Sequence, residues 1–263
     1  MKAIIGTLMF VLLIGTTVFG DDGAPMVLVP AGEFIMGPPG AEKTVYLKSY
    51  YIDKYEVTVD RFRKFVKETG HVTTAERLGY TVDSEGKYYG YNWKNADKQP
   101  PYKTYGDNYP VTCVSPEDAE AYAKWAGKRI PTEAEWEKAA RGTDGRKYPW
   151  GNNIPSKKKM ANIARDYIQP VAVGSYPEGA SPYGCLDIVG NLWEYARKEG
   201  QFGRYCQRGG AWNSFPDYVK ERNPKQKPVV VEDITVYFTR GNFGPSNFTS
   251  KHCTTIRCVK DGE

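Results

Sequence analysis

A chain of 263 residues with 14% aromatic side chains, 20 tyrosines among them, can build one large domain or two small ones. Its 27 glycines and 18 prolines stay below the level of a disordered chain and point to an ordered, turn-rich protein. The net charge of +5 is mild, and the one tight basic run, Lys157-Lys158-Lys159, reads as a solvated loop, so nucleic acid is not an expected partner.

At the N-terminus Lys2 precedes an apolar run from Ala3 to Val18, closed by Val18-Phe19-Gly20 before Asp21-Asp22. One positive residue, a short apolar core and a small residue before an acidic start form the pattern of a secretory signal peptide over residues 1–20. The rival, an uncleaved anchor, wants a run of about 18–20 apolar residues. The reading is therefore a secreted or periplasmic protein with no membrane span after signal removal and one folded domain over residues 24–262. Export permits disulfides, but five cysteines (Cys113, Cys185, Cys206, Cys253 and Cys258) leave at least one thiol free or paired to another chain. No C-x-x-C spacing supports a zinc knuckle or a thioredoxin-type pair. The two histidines, His71 and His252, are too few for a three-histidine iron site.

Val27 to Met36 reads as an opening strand broken at Pro30-Ala31-Gly32, and Val45 to Ile52 alternates as a half-buried strand does. Thr58 can cap a helix that turns Phe62, Phe65 and Val66 to one face and stops at Gly70. Tyr80 to Asn108 has no period and reads as a long surface loop. Ser115-Pro116-Glu117-Asp118 starts a helix with Ala119, Tyr122, Ala123 and Ala126 inward, ended by Gly127. Thr132-Glu133-Ala134-Glu135 is a capping box opening another, with Trp136, Ala139 and Ala140 inward. Short strands are expected around Val171–Val173 and Thr255–Val259. Pro224 to Pro228 leads into a β-rich run, Val229 to Phe238, followed by a turn-rich loop over Gly241–Asn247.

The densest pattern runs from Tyr183 to Trp212. Gly190-Asn191 precedes Trp193, and Gly209-Gly210 precedes Trp212, so two tight turns are each followed by a large apolar anchor. Spacing alone is equally compatible with plain core turns. The segment resembles the C-terminal half of the formylglycine-generating enzymes, also called sulfatase-modifying factors. MVLVPAGEFIMG (Met26–Gly37), YYIDKYEVT (Tyr50–Thr58), the Tyr109–Gly142 block, YPWGN (Tyr148–Asn152), PVAVGSYP (Pro170–Pro177) and TIRCVKD (Thr255–Asp261) follow in family order. The resemblance implies an α+β, C-type-lectin-like fold with little regular structure: two helices, small antiparallel sheets and long loops.

It also implies sites. Asp187, Gly190, Leu192 and Glu194 match positions that hold a structural Ca²⁺ in relatives, and two carboxylates with two turn carbonyls are donors that calcium takes. The same carboxylates can equally be solvated or salt-bridged. A second family calcium site keeps only Asn162, the Ile163 carbonyl and Asp166. The active enzymes place two cysteines beyond the Gly-Gly pair to bind Cu(I) through soft thiolates. Here those positions are Ser214 and Val219, so copper is not an expected cofactor. The resemblance thus implies a non-catalytic domain that binds a protein, peptide or glycan at the former substrate groove, through Trp212, Asn213, Ser214 and Arg222. Two alternatives stay open: a formylglycine-generating oxidase with relocated thiols such as Cys206 and Cys253, and a lectin-type variable display protein of a diversity-generating retroelement. A Ser214 nucleophile would need a base within reach, and neither histidine lies in a recognisable motif.

Overall fold

The computed structural model describes residues 18–83, 86–96, 106–153, 159–163, 169–212, 214, 239–243 and 254–262. In chain order the strands β1 (Val18–Phe19), β2 (Pro25–Val29), β3 (Gly32–Met36), β4 (Lys43–Leu47) and β5 (Tyr50–Asp53) precede helices α1 (Val59–Thr69) and α2 (Thr74–Leu78). The hairpin β6 (Tyr80–Asp83) and β7 (Gly86–Tyr89) leads to helices α3 (Pro116–Trp125) and α4 (Glu133–Arg141). Strands β8 (Trp193–Arg197), β9 (Tyr205–Arg208), β10 (Thr239–Phe243), β11 (Thr254–Thr255) and β12 (Val259–Asp261) follow.

Two four-stranded sheets organise the chain, in the orders β1-β2-β5-β12 and β10-β9-β8-β11. All their pairings are antiparallel except β11 with β8. This is an α+β arrangement with long irregular connections. Among the described residues no helix is long and apolar enough to cross a membrane.

The helices begin where the capping chemistry dictates. Thr73, Ser115 and Thr132 each accept the amide three residues on, and Glu76, Asp118 and Glu135 reach back to the cap. Thr58 caps α1, and Gly70 ends it in the left-handed region at φ 69°. Helix α4 lies against the hairpin β8–β9 and drives Trp136, Ala139 and Ala140 into a core with Tyr50, Ile52 and Ile188. A second core joins Phe62 and Phe65 of α1, Tyr122 of α3, Tyr195 of β8 and Ile256.

Six expectations need correction. The described residues hold four helices rather than two, since Thr58 starts α1 and the five-residue α2 rests on its Thr73–Glu76 capping box. The stretch expected as a loop from Tyr80 contains a hairpin, because a cross-strand pair of rings, Tyr80 and Tyr89 with centroids 5.6 Å apart, replaces the missing apolar alternation. The strand expected over Val45–Ile52 is two strands in different sheets: β4 pairs with β3, whereas β5 pairs with β2 and β12. Val171–Val173 forms no strand; its amides go to the Asn191 side chain and the Asn108 carbonyl instead. Residues 241–243, expected in a turn, complete β10, while the β-rich run 229–238 lies outside the described residues. The strand expected over Thr255–Val259 is likewise divided, with Ile256-Arg257-Cys258 crossing from β11 to β12.

Candidate functional site

The hairpin β8–β9 sets Glu194 opposite Arg208, so the two Gly-then-Trp turns flank the same pair of strands. They are joined by backbone hydrogen bonds. The Gly190 amide donates to the Gly209 carbonyl (2.9 Å), and the Trp212 amide donates to the Asn191 carbonyl (2.8 Å). Gly209 sits at φ 90°, and a Cβ there would stand 2.6 Å from the Ile188 carbonyl oxygen and 3.0 Å from the Trp136 ring. Only glycine satisfies both constraints. Leu192, Trp193, Ala211 and Trp212 pack into a small buried cluster beneath the turn.

Beside this turn lies an acidic corner. Asp187 and Asn191 adopt positive φ (56° and 57°), a sparsely used conformation that clusters at functional sites. The Asp187 Oδ2 accepts the Gly174 amide, and the Glu56 Oε2 accepts the Asn191 amide nitrogen at 2.7 Å. The other oxygen of each carboxylate, and Asn162 Oδ1, is buried with no hydrogen-bond partner among the described residues. Burial pushes the Asp187 carboxyl up to about 6, and burial with the neighbouring charges of Asp187 and Glu194 lifts Glu56 well above the usual carboxylate range. Glu194 differs. Its carboxylate accepts the Trp136 indole N–H (2.7 Å) and both Nε (2.9 Å) and Nη2 (2.7 Å) of Arg257.

Residues 17–238 match the model of the sulfatase-modifying factor enzyme 1-like domain. The chain belongs to this family. The formylglycine-generating enzyme of Thermomonospora curvata is 37% identical over 211 residues, covering 65% of this chain and 70% of the relative. The inactive C-alpha-formylglycine-generating enzyme 2 of Bos taurus is 33% identical over 234 residues, covering 73% and 77%. The solved structure of PvdO from Pseudomonas aeruginosa superimposes with a TM-score of 0.69 at 22% identity, over 94% of this chain and 98% of that one. The sulfatase-modifying-factor fold, C-type-lectin-like in type, is thereby that of this protein.

Against the family's chemistry, the expected positions separate. Trp212 and Ser214 lie together, both largely buried; Asn213, Val219 and Arg222 fall outside the described residues, as does Asp166. The Ser214 hydroxyl accepts the Ala211 amide (3.0 Å), and the Ser214 amide donates to the Ala211 carbonyl (2.8 Å). A serine hydroxyl is a hard oxygen, not the soft ligand that Cu(I) takes. Residues that would hold family copper do not fit it here. Cys206, the described member of the relocated pair, is buried beside Glu133, and burial first and that carboxylate second hold its thiol far above the ordinary range. Such a site disfavours thiolate. Cys185 and Cys258 are also free, buried thiols, and Cys253 lies outside the described residues.

For calcium the donor chemistry fits in part. The structure brings Asp187, Gly190, Leu192 and Glu194 to one corner, yet only Asp187 has an open side-chain oxygen. Among the described residues no three His, Cys, Asp or Glu side chains form a metal-binding group, so any cation there would draw on amide and carbonyl oxygens as well. Glu56 and Arg257 were missed by sequence reasoning. Both stand inside quoted family blocks, where apolar neighbours gave no sign that their charges are buried.

The ion pair between Arg129 and Glu135 yields a pH prediction. Glu135 would be raised by burial, but two hydrogen bonds from Arg129 (2.6 and 2.7 Å) outweigh this and hold it below the ordinary range. A lowered folded value stabilises above the unfolded value, about 4.3, and the gain disappears as pH falls through the folded value. Glu135→Gln is therefore expected to cost about 1–3 kcal/mol at neutral pH. In paired urea melts the difference from wild type should vanish in acid; a constant difference would remove the ion pair from the account.

Proposed function

We propose that this chain is an exported, non-catalytic sulfatase-modifying-factor domain, calcium-stabilised, that binds a protein, peptide or glycan beyond the Gly209-Gly210 turn. The carrying observation is Ser214. It stands where the active enzymes have their first copper thiolate, and its hydroxyl is already held by Ala211. Cys206, the alternative thiol, is buried in surroundings that oppose ionisation. The likeness to a Bos taurus relative described as inactive supports the same reading. Trp212, Asn213, Ser214 and Arg222 are the residues assigned to the ligand, and Asp187 with the Gly190 and Leu192 carbonyls to calcium.

The test is titration of the reduced, purified protein with Cu(I), followed by aerobic incubation with a cysteine-containing sulfatase-type peptide and mass spectrometry. The expected result is no tight copper binding and no aldehyde. Conversion that disappears in Cys206→Ser or Cys253→Ser would establish the relocated-thiol oxidase instead.

A further inference from the structure

A leader over residues 1–20 would be removed at the Gly20–Asp21 bond, between a small residue and an acidic start. In the structure that bond lies within the fold. Val18 and Phe19 form β1 and pair with Met26 and Pro25 of β2. The Gly20 amide donates to the Ala24 carbonyl (2.9 Å), and the Gly20 carbonyl accepts the Gly23 amide (2.8 Å). Asp21 and Asp22 are thus the corner of a tight turn, not extended chain.

A buried cluster fixes this turn. Lys128 Nζ bridges Asp22 Oδ1 and Asp53 Oδ1, 2.7 Å from each, and the Tyr122 hydroxyl donates to Asp22 Oδ2 at 2.6 Å. Gly20 is buried against the same lysine. A Cβ at Gly20 would overlap Lys128 Cε and stand 2.5 Å from its Nζ and 2.6 Å from Asp22 Oδ1. Lys128 cannot swing aside without stranding two carboxylates in the interior.

Peptide hydrolysis asks for the opposite arrangement. An endopeptidase takes its substrate as an extended strand and polarises the carbonyl of the residue before the cut. Here Val18 and Phe19 are already paired on β2, the Gly23 amide holds the Gly20 carbonyl, and Lys128 covers Gly20. We propose that Gly20–Asp21 is the processing site of this chain and that folding closes it, so the leader is cut before Asp22 docks on Lys128. Water gives its hydroxyl to the Gly20 carbonyl carbon and its hydrogen to the Asp21 nitrogen as the bond between them breaks. The assignment rests on the exported reading above. A chain that folds first keeps its leader.

The test uses the full chain and a purified signal peptidase in detergent micelles, with mass spectrometry reading the N-terminus. Peptidase present while the chain is diluted out of urea should give a product starting at Asp21. Added after folding, it should cut at least about tenfold more slowly, because cleavage then waits on local opening of the turn. Gly20→Ala keeps a small residue at the cut but overlaps Lys128, so its late cleavage should approach the early rate. Its product lacks residue 20 and should melt as the wild-type product does.

Equal early and late rates in wild type would overturn the closure. Late cleavage of Gly20→Ala as slow as that of wild type would overturn the part given to Lys128. A product starting at Val18 or earlier would keep the leader and overturn the choice of bond. No cut in either arm, with protein isolated from cells still carrying Lys2, would overturn the leader itself and this site with it.

Discussion

Arg257→Ala is expected to lose about 3–5 kcal/mol of stability, the range for removing one partner of a buried ion pair. Arg257 and Glu194 are both 0% exposed, so deleting the guanidinium strands a carboxylate that also holds the Trp136 indole. The loss extends beyond the pair. The Asp53 carbonyl at the end of β5 and the Leu186 carbonyl ahead of the acidic corner both lose their donors. In a chain of this length the change corresponds to a fall of roughly 6–20 °C in melting temperature. Thermal denaturation followed by circular dichroism reads it directly. Arg257→Met with Glu194→Leu should recover much of the loss, because no buried charge is then left alone; a double variant no better than Arg257→Ala would place the damage in the lost carbonyl bonds instead.

Lys128→Met should be comparably severe, about 3–5 kcal/mol, because one ammonium serves two buried carboxylates. Its Nζ lies 2.7 Å from Asp22 Oδ1 and 2.7 Å from Asp53 Oδ1, with all three side chains at most 1% exposed. Asp22 also takes the Tyr122 hydroxyl at 2.6 Å, and Asp53 takes the Cys258 amide at 3.0 Å. The cluster therefore fastens the turn before β2 to α3, β5 and the crossing from β11 to β12. Adding Asp22→Asn to Lys128→Met should restore part of the stability in urea melts, since one of two stranded charges is neutralised. Equal stability of the single and double variants would mean that water reaches Asp22 once the lysine is gone.

How far these features were legible follows the range of each interaction. The capped helices were readable because Ser115, Thr132 and Thr58 act on amides within the same turn. The Gly209-Gly210 turn was readable because glycine there answers a local conformation and a close backbone approach. The split between β4 and β5 was not, since the apolar alternation runs on while the strands' partners differ. The hairpin β6–β7 was hidden because its tyrosines pair across strands rather than along them. Glu56 and Glu194 look alike as lone acids beside apolar residues. Only the position of Arg257, far along the chain, makes one neutral in company and leaves the other short of a counter-charge.

The last described stretch, residues 254–262, gives β11 to one sheet and β12 to the other, and Arg257 lies between them. Ile52 faces Val27 across one edge of β5, but across the other its neighbour is Val259. During synthesis β5 must therefore wait, one edge open, while roughly two hundred further residues emerge, a separation that slows closure. Until the C-terminal stretch clears the ribosome, Glu194 has no guanidinium and Asp53 no Cys258 amide. The segment that fastens both sheets is thus made after the strands it joins. A nascent chain halted before Thr254 should remain protease-sensitive throughout, with its earliest strands still unlatched.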